Sequence, residues 1–415
     1  MGASPRFLEM DALRGFAVMG ILAINIAAFA QPEMAFVNPL VASHASDLDV
    51  ASWAANFILF DGKMRGLFSL LFGASTALVI ERAIAGGQSA AKVHFFRMAW
   101  LAVFGLIHFF FIWFGDILFL YAGAGCVLFL FRNWSAQRLL KWGVIAYALG
   151  AVFLMAGMGS MLFLLHQAGQ ANPPQEVLDE LAEIYADLGT SPEMVAAETA
   201  RYLGSYAGIL QHKLVEQWSM LLQNLILGPI ETIPLMMIGM GLYRNGFLLG
   251  QESRETYVRT CRLMMTIGLP FFILLVAIAY VQDFNIIWMM NLAMAWSMLP
   301  RLFMIIGYVA LFILIIQRFQ HNPMLHRVAA AGRAAFSNYL GTSILMTFVF
   351  YGWGLGYFDQ FGRFYLQLFV LGTWALMLLW SKPWLMRFRY GPLEWLWRSL
   401  AKGQAQPMQL RVAAS

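Results

Sequence analysis

Apolar runs of about 17–25 residues, the length that crosses a lipid bilayer as an α-helix, recur along the whole chain. Backbone amides in lipid must be hydrogen-bonded within the protein, so such runs form helices. The composition agrees, since 60% of the residues are hydrophobic and only 12% are charged. We therefore predict an all-α, polytopic integral membrane protein with about ten transmembrane helices. The predicted spans cover residues 13–30, 64–81, 95–114, 117–131, 143–165, 219–243, 263–281, 286–316, 334–352 and 364–381.

The run 286–316 is too long for one straight crossing. Pro300 and Arg301 interrupt it, and proline removes a backbone donor from a helix. We expect either a kinked crossing or a re-entrant piece followed by a crossing.

Lysine and arginine are concentrated in alternate loops between these spans. The basic set contains Arg82, Lys92, Arg97, Arg132, Arg138, Lys141, Arg244, Arg254, Arg259, Arg262, Arg318, Arg327, Arg333, Lys382, Arg387, Arg389 and Arg398. Of the opposite set, the loop 31–50 has no basic residue and 166–218 has only Arg201 and Lys213. The positive-inside rule then places both termini in the cytoplasm. We expect one transmembrane domain over residues 1–415, with 166–218 as an extracytoplasmic loop and 382–415 as a cytoplasmic tail.

The loop 166–218 contains a stretch in which acidic and apolar residues alternate at helical spacing, from Glu176 to Ile184. This spacing predicts an amphipathic helix. Two interpretations stay open: a solvated helix that covers the outside of the bundle, and a lid over a site for an acceptor molecule.

The net charge of +5 does not indicate a nucleic-acid partner, because the basic residues lie in short loops and not on one soluble face. The expected surroundings are the lipid bilayer. The two cysteines, Cys126 and Cys261, form no metal-binding motif, and the seven histidines show no ligand spacing such as HExxH. We predict no metal.

Position along a helix gives each polar residue an expected depth, because an α-helix rises ~1.5 Å per residue. Arg97 marks the inner edge of its span, so His108 lies roughly 16 Å further, near the midplane, and Asp116 roughly 28 Å further, at the outer edge. The two side chains would be ~12 Å apart along the axis, so we do not expect contact. Asn25 falls about level with His108. Asn25, His108 and Asp116 are therefore a predicted polar column.

Asp61, Lys63 and Arg65 fall near the outer edge, at the expected depth of Asp116. Charges at a membrane boundary tend to pair, so we expect Asp116 to pair with Lys63 or Arg65. The alternative is a salt-bridge cluster that only holds helices together.

Structural alternatives exist for the other candidates as well. His108 and Asn338 would then form hydrogen bonds between helices. Asp11 and Arg14 would be a helix cap and an anchor at the inner edge. Asn291 and Glu231 are weaker candidates for function.

Four sequence blocks together resemble the YeiB-like family of bacterial inner-membrane proteins, a domain of unknown function. The first block runs from Asp11-Ala12-Leu13-Arg14-Gly15 to Asn25, and the second is Gly62-Lys63-Met64-Arg65-Gly66 with the residues up to Ala74. The third joins Gly105-Leu106-Ile107-His108 to Gly115-Asp116 and Tyr121, and the fourth joins Gly332-Arg333 and Ser337-Asn338-Tyr339 to Gly391-Pro392-Leu393-Glu394-Trp395. The resemblance implies a multi-pass protein of the bacterial inner membrane.

The opening Asp-x-Leu-Arg-Gly block is also similar to the first helix of membrane-embedded acyltransferases. Those enzymes move an acyl group from a cytoplasmic thioester donor, such as acyl-CoA, to an extracytoplasmic acceptor. This similarity implies His108 as the general base or acyl carrier, and Asn25 as its orienting group or an oxyanion donor.

The same similarity implies contacts between the donor phosphates and Arg14, Arg97 and Arg333. Asp61, Lys63, Arg65, Asp116 and Asn338 complete the candidate set, with Lys63, Arg65 and Asp116 at the outer mouth.

Two questions stay open. In the lysosomal acyltransferase of this kind the active histidine lies in the first luminal loop, which makes His44 a rival to His108. A small-molecule transporter or exporter with an intramembrane proton relay is the alternative function. A non-catalytic membrane partner is a third.

Overall fold

The computed structural model describes residues 7–410 and is helical throughout. Its α-helices are α1 Leu8–Ala30, α2 Asp47–Leu59, α3 Lys63–Ala85, α4 Ala90–Ile107, α5 Leu118–Leu128, α6 Ala136–Ala168, α7 Gln175–Asp187, α8 Pro192–Tyr202, α9 Tyr206–Val215, α10 Trp218–Arg244, α11 Arg254–Val281, α12 Ile286–Met290, α13 Met298–Arg318, α14 Pro323–Arg333, α15 Ala335–Phe350, α16 Arg363–Arg387 and α17 Pro392–Lys402. Over residues 7–410 no β-strand forms, and one isolated bridge joins Phe388 to Gln409.

Within residues 7–410, eight helical segments are long and apolar enough to cross a membrane. They indicate an integral membrane protein, and one of them, Asp47–Ala85, joins α2 to α3. The predicted spans 117–131 and 334–352 correspond to the shorter apolar helices Leu118–Phe131 and Ala335–Phe350. The sequence did not predict α2, which begins with a capping box between Ser46 and Asp49.

The predicted break in the run 286–316 is present, but it lies before Pro300. A π-helical turn, Asn291–Trp296, separates α12 from α13. Arg301 then lies in the first turn of α13 and is 4% exposed. The interruption therefore brings a buried arginine into the bundle.

Glycines of the sequence blocks allow close helix packing. A Cβ on Gly15 would overlap the carbonyl oxygen of Val328, and one on Gly332 would overlap that of Asp11, so α1 and α14 touch backbone to backbone. Gly73 and Gly239 do the same for α3 and α10. Small residues at such contacts are typical of helix packing in membranes.

The chain reverses direction after α4. A π-helical turn, His108–Ile112, continues α4, and Trp113 is then fully extended. Helix α5 begins at Leu118 beside the last turn of α4, because a Cβ on Gly105 would overlap the backbone of Phe119. Helix α5 has 11 residues, or about 16 Å, so it is too short to cross a bilayer alone.

The segment 166–218 is more than a solvated cover. Its first helix, α7, confirms the predicted amphipathic helix, and Leu181 and Ile184 pack on the bundle. Helices α8 and α9 lie over the chain reversal: Tyr202 of α8 packs on Phe114, and in α9 Tyr206 donates to the carbonyl of Phe111 and Lys213 to that of Ile112.

The predicted tail 382–415 is also structured up to residue 410, and the last five residues lie outside the described part. Helix α16 continues to Arg387, and α17 docks on the bundle. Glu394 accepts hydrogen bonds from the backbone of Phe336 and Ser337, and Trp397 donates to the carbonyl of Arg97.

Candidate functional site

His108 and Asp116 are in direct contact, which corrects the expectation that they lie ~12 Å apart. The Nδ1 atom of His108 lies 2.8 Å from Oδ1 of Asp116, and neither side chain is exposed to solvent. The expectation assumed an unbroken helix, whereas the reversal over residues 113–117 returns Asp116 to the level of His108. A carboxylate only accepts hydrogen bonds, so Nδ1 is the donor and carries the proton.

Asp116 also anchors α5. Its Oδ2 accepts a hydrogen bond of 2.7 Å from the backbone N–H of Phe119, in the first turn of the helix. Negative charge at a helix N-terminus is favourable because the helix dipole is positive there. One carboxylate therefore fixes both the ring of His108 and the start of α5.

The Nε2 atom of His108 is buried and has no hydrogen-bond partner within residues 7–410. The imidazole lies against the rings of Tyr339 and Trp113, with centroid distances of 5.1 and 6.2 Å. In the neutral imidazole with its proton on Nδ1, Nε2 has the free lone pair. This is the arrangement that a general base or a nucleophilic nitrogen requires.

Asn25 lies near this pair but does not touch it. It lines a narrow cavity of about 10 Å³, with space for about one water molecule, between α1, α15 and α16. Tyr339 lines the same cavity and contacts His108, so it separates the two candidates. Of the predicted column, Asp116 contacts His108 directly, and Tyr339 lies between His108 and the cavity that Asn25 lines.

Arg65 pairs with Glu231 and not with Asp116, which corrects the expected partner. Nη2 of Arg65 lies 2.6 Å from Oε2 of Glu231, and Nη1 of Arg301 lies 2.7 Å from Oε1. Both oxygens of Asp116 are already used by His108 and Phe119. The three side chains form a charged cluster, called here the Arg–Glu–Arg cluster.

Lys63 is fully buried and likewise does not pair with Asp116. Its Nζ donates to the carbonyl of Phe57 at 2.5 Å and lies 3.0 Å from the ring centroid of Phe272. Asp61 and Arg301 both act on it electrostatically, with opposite sign. Gly62 has a φ of +67°, and a Cβ there would overlap the Arg301 guanidinium, so glycine is required between Asp61 and Lys63.

At the opposite end of the bundle, Arg14 pairs with Asp11 at 2.8 Å and donates to the hydroxyl of Ser75. The guanidinium of Arg97 stacks on Trp397 at 4.3 Å. Arg333 ends α14. Of the three predicted phosphate ligands, Arg333 is at a helix end, whereas Arg14 and Arg97 lie about two turns inside α1 and α4, and Arg14 is already engaged by an acid.

Asn338 connects three helices. It donates to the carbonyl of Ala331 and to Ser381 Oγ, and it accepts from Trp380. The Asn338 side chain therefore forms hydrogen bonds between helices, as the structural alternative for this residue predicted.

His44, the rival histidine, is exposed in the loop before α2. Its neighbour Ser43 lines an open cavity of about 500 Å³ together with Asn38, Tyr185 and Asn285. A cavity of this size is in the range of small-molecule sites. Ser43 itself donates to Asp359.

Outside the spanning helices, burial shifts three titrations. It raises the pKa of Glu33 and raises that of Glu198 to about 7, and the backbone N–H of Glu33 donates to Glu198. Burial lowers the pKa of Lys213 to about 7. Among the described residues, no group of three His, Cys, Asp or Glu side chains has the arrangement of a metal site.

Sequence reasoning missed Arg301 and Tyr339 as candidates and ranked Glu231 as weak. The available signal for Arg301 and Glu231 was a charge inside an apolar run, which is costly in lipid unless it is paired. The contact of Tyr339 with His108 had no such local signal.

Comparison with known proteins places this architecture in a family. The chain is 31% identical to the uncharacterized protein YeiB of Escherichia coli (strain K12) over 405 residues, 97% of this chain and 98% of the relative. It belongs to the YeiB-like family. The uncharacterized protein YxaH of Bacillus subtilis (strain 168) is 29% identical over 96% of this chain and 95% of its own length.

Residues 242–404 of this YeiB-like chain match the family model described as a protein of unknown function, DUF418. No solved structure matches the chain.

Proposed function

We propose that the protein is a transmembrane acyltransferase in which His108 is the reactive group. The observation that carries the proposal is the buried His108–Asp116 pair with an unpartnered Nε2. A carboxylate that holds one nitrogen of an imidazole and leaves the other free is the arrangement by which acyl-transfer enzymes activate a nucleophile.

In this mechanism Nε2 of His108 accepts the proton of an acceptor hydroxyl or amine. The acceptor oxygen or nitrogen attacks the thioester carbonyl of the donor, the carbon–sulfur bond breaks, and the leaving thiolate takes the proton from Nε2. Asp116 stabilises the imidazolium in between. In the alternative route Nε2 attacks the carbonyl, the carbon–sulfur bond breaks, and the thiolate leaves with the acyl group on Nε2. The acceptor then attacks this acyl group, the bond to Nε2 breaks, and the acceptor's proton passes to the thiolate.

The donor is proposed to be a cytoplasmic acyl thioester such as acyl-CoA. Arginines at the basic end support a phosphate-bearing donor. Arg97 and Arg398 are close enough to interact electrostatically, and both guanidinium groups carry N–H donors suited to phosphate. The proposed topology has about ten transmembrane segments, of which α5 is too short to cross alone, with both termini in the cytoplasm and the basic end inside, in a bacterial inner membrane.

A test uses purified protein in proteoliposomes, with acetyl-CoA as the donor and a panel of amino sugars and polyols as acceptors. We expect His108→Ala to lower transfer by about 10³-fold or more in protein that still folds, although it should unfold at a lower temperature because Asp116 loses its buried partner. His321→Ala, in an exposed loop, is the matched control. If His108→Ala keeps wild-type transfer and His44→Ala loses it, His44 and not His108 is the reactive histidine.

Transport is the second candidate, and the Arg–Glu–Arg cluster favours it. Ionisable groups inside a bundle often mark solute or proton pathways, and helix α5 begins within the bundle as the broken helices of transporters do. In proteoliposomes without a thioester, proton-coupled solute flux that vanishes in Asp116→Asn would support this function over acyl transfer.

A further inference from the structure

Arg65 is the exposed member of the Arg–Glu–Arg cluster. The side chains of Arg301 and Glu231 are 5% and 13% exposed, whereas that of Arg65 is 51% exposed. Within residues 7–410 the side chain of Arg65 donates through Nη2 alone, to Glu231. Its remaining N–H groups are therefore available to a further acceptor.

The depth of the cluster makes this exposure unusual. Glu231 is the midpoint of α10, Trp218–Arg244, so it lies roughly 20 Å from either end of that helix. Pairing with Glu231 holds the Arg65 guanidinium at that depth. A charged group in the hydrocarbon region is costly unless it faces water or a counter-charge.

The local charge leaves a positive excess. Arg65 and Arg301 share the single carboxylate of Glu231, and the nearby Lys63 is opposed by Asp61. Arg301 uses both Nη atoms internally, Nη1 on Glu231 and Nη2 on Ala293 and Ser297, and its Nε is buried without a partner among the described residues. Of the two arginines, Arg65 is therefore the one whose free N–H groups an outside ligand can reach.

The surface beside the cluster is partly apolar. Leu227 lies one helical turn before Glu231 on the same face of α10 and is 51% exposed, and Ile226 flanks it at 71% exposure, whereas Asn224, about two turns before Glu231, is exposed and polar. A ligand bound to Arg65 along this surface would combine an anionic group with an apolar chain.

We propose that Arg65 forms an anion site, open to the lipid, for the carboxylate or phosphate headgroup of an amphiphile. The planar guanidinium fork matches both anions. The site lies near the His108–Asp116 pair, since the Tyr121 hydroxyl donates to the carbonyl of Arg65 and acts electrostatically on Tyr339. The proposal itself does not require acyl transfer.

The test measures binding by the detergent-purified full chain, with oleate as the carboxylate probe, oleoyl lysophosphatidic acid as the phosphate probe and oleyl alcohol as the uncharged control. We expect the wild type to bind at least one anionic probe about tenfold or more tightly than oleyl alcohol. Preference for one anion identifies the headgroup. Equal affinity for all three probes would overturn the proposal.

Variants then assign the binding to Arg65. Arg65→Gln should remove the preference for the anion, Arg65→Lys should keep part of it, and Arg254→Gln, an exposed arginine at the start of α11, should leave it unchanged. If Arg65→Gln does not fold, the lysine variant decides: a partial loss there with no loss in Arg254→Gln supports the site, whereas full affinity in Arg65→Lys, or an equal loss in both variants, refutes it. Failure of this binding leaves the His108 test unaffected, because that test measures turnover.

Discussion

Replacement of Asp116 by asparagine tests the candidate site directly. Asparagine has the shape of aspartate, so its carbonyl oxygen can still accept from the backbone of Phe119, as Asp116 does at 2.7 Å. Its amide N–H₂ group then faces Nδ1 of His108, where the carboxylate accepted before. Nδ1 must become the acceptor, and the imidazole proton moves to Nε2.

Two magnitudes follow from this change. A buried hydrogen bond to a charged group contributes about 1.5–3 kcal/mol, so we expect Asp116→Asn to lower the free energy of unfolding by about that amount or less. The wrong histidine tautomer costs Ser-His-Asp enzymes a factor of about 10⁴ in kcat, which corresponds to about 5 kcal/mol in the barrier. The effect on transfer should therefore exceed the effect on stability.

The assays separate the two effects. Nitrogen-15 NMR of labelled histidines, with His108→Ala to assign the resonance, should show Nδ1 protonated in the wild type and Nε2 protonated in Asp116→Asn. Acetyl transfer in proteoliposomes should fall by about 10³–10⁴-fold in the variant. A wild-type ring protonated at Nε2, or a folded Asp116→Asn protein with full transfer, would refute the reasoning.

Three further predictions concern the surroundings of the site. Gly62→Ala should lower the unfolding temperature far more than Gly87→Ala. Both glycines have φ near +67°, but only at Gly62 does the added Cβ meet another side chain, that of Arg301. Equal losses in the two variants would contradict this close approach. Burial raises the pKa of Glu198 from 4.5 to about 7, so the proton stabilises the folded state fully below about pH 4.5 and this stabilisation is lost as the pH rises to 7. Glu198→Gln should therefore gain stability relative to the wild type over that interval, by up to about 3 kcal/mol in pH-dependent denaturation, and a constant difference would argue against the raised pKa. Glu394→Ala leaves three donors on Phe336 and Ser337 without their acceptor, so α17 should be cleaved faster in limited proteolysis, whereas unchanged cleavage would show that the contact does not hold it.

Hydropathy predicted most of the helices because the length of an apolar run reports directly on the thickness that it must cross. It placed α1, α3, α6, α10 and α11 near their observed positions. The same rule did not reveal the contact between His108 and Asp116, since the apolar run continues through the π-helical turn to Phe114 and gives no sign that the chain turns back there.

Pairing between charges was the weakest part of the prediction. The predicted common depth of Asp116, Lys63 and Arg65 depended on the assumption that α4 is straight up to Asp116. The actual partner of Arg65, Glu231, comes from a helix far along the chain, and the choice depends on the three-dimensional arrangement of α3, α10 and α13. No local sequence pattern contains that information.

The short helix α5 has a consequence for how the protein is assembled during synthesis. Its 11 residues cannot hold a stable crossing alone, and Asp116 at its start is a poor residue to release into lipid. Helices α8 and α9, which cover the reversal, are made only about 75–100 residues later. The His108–Asp116 region should therefore stay open to water, and dependent on insertion machinery, until α9 has emerged from the ribosome.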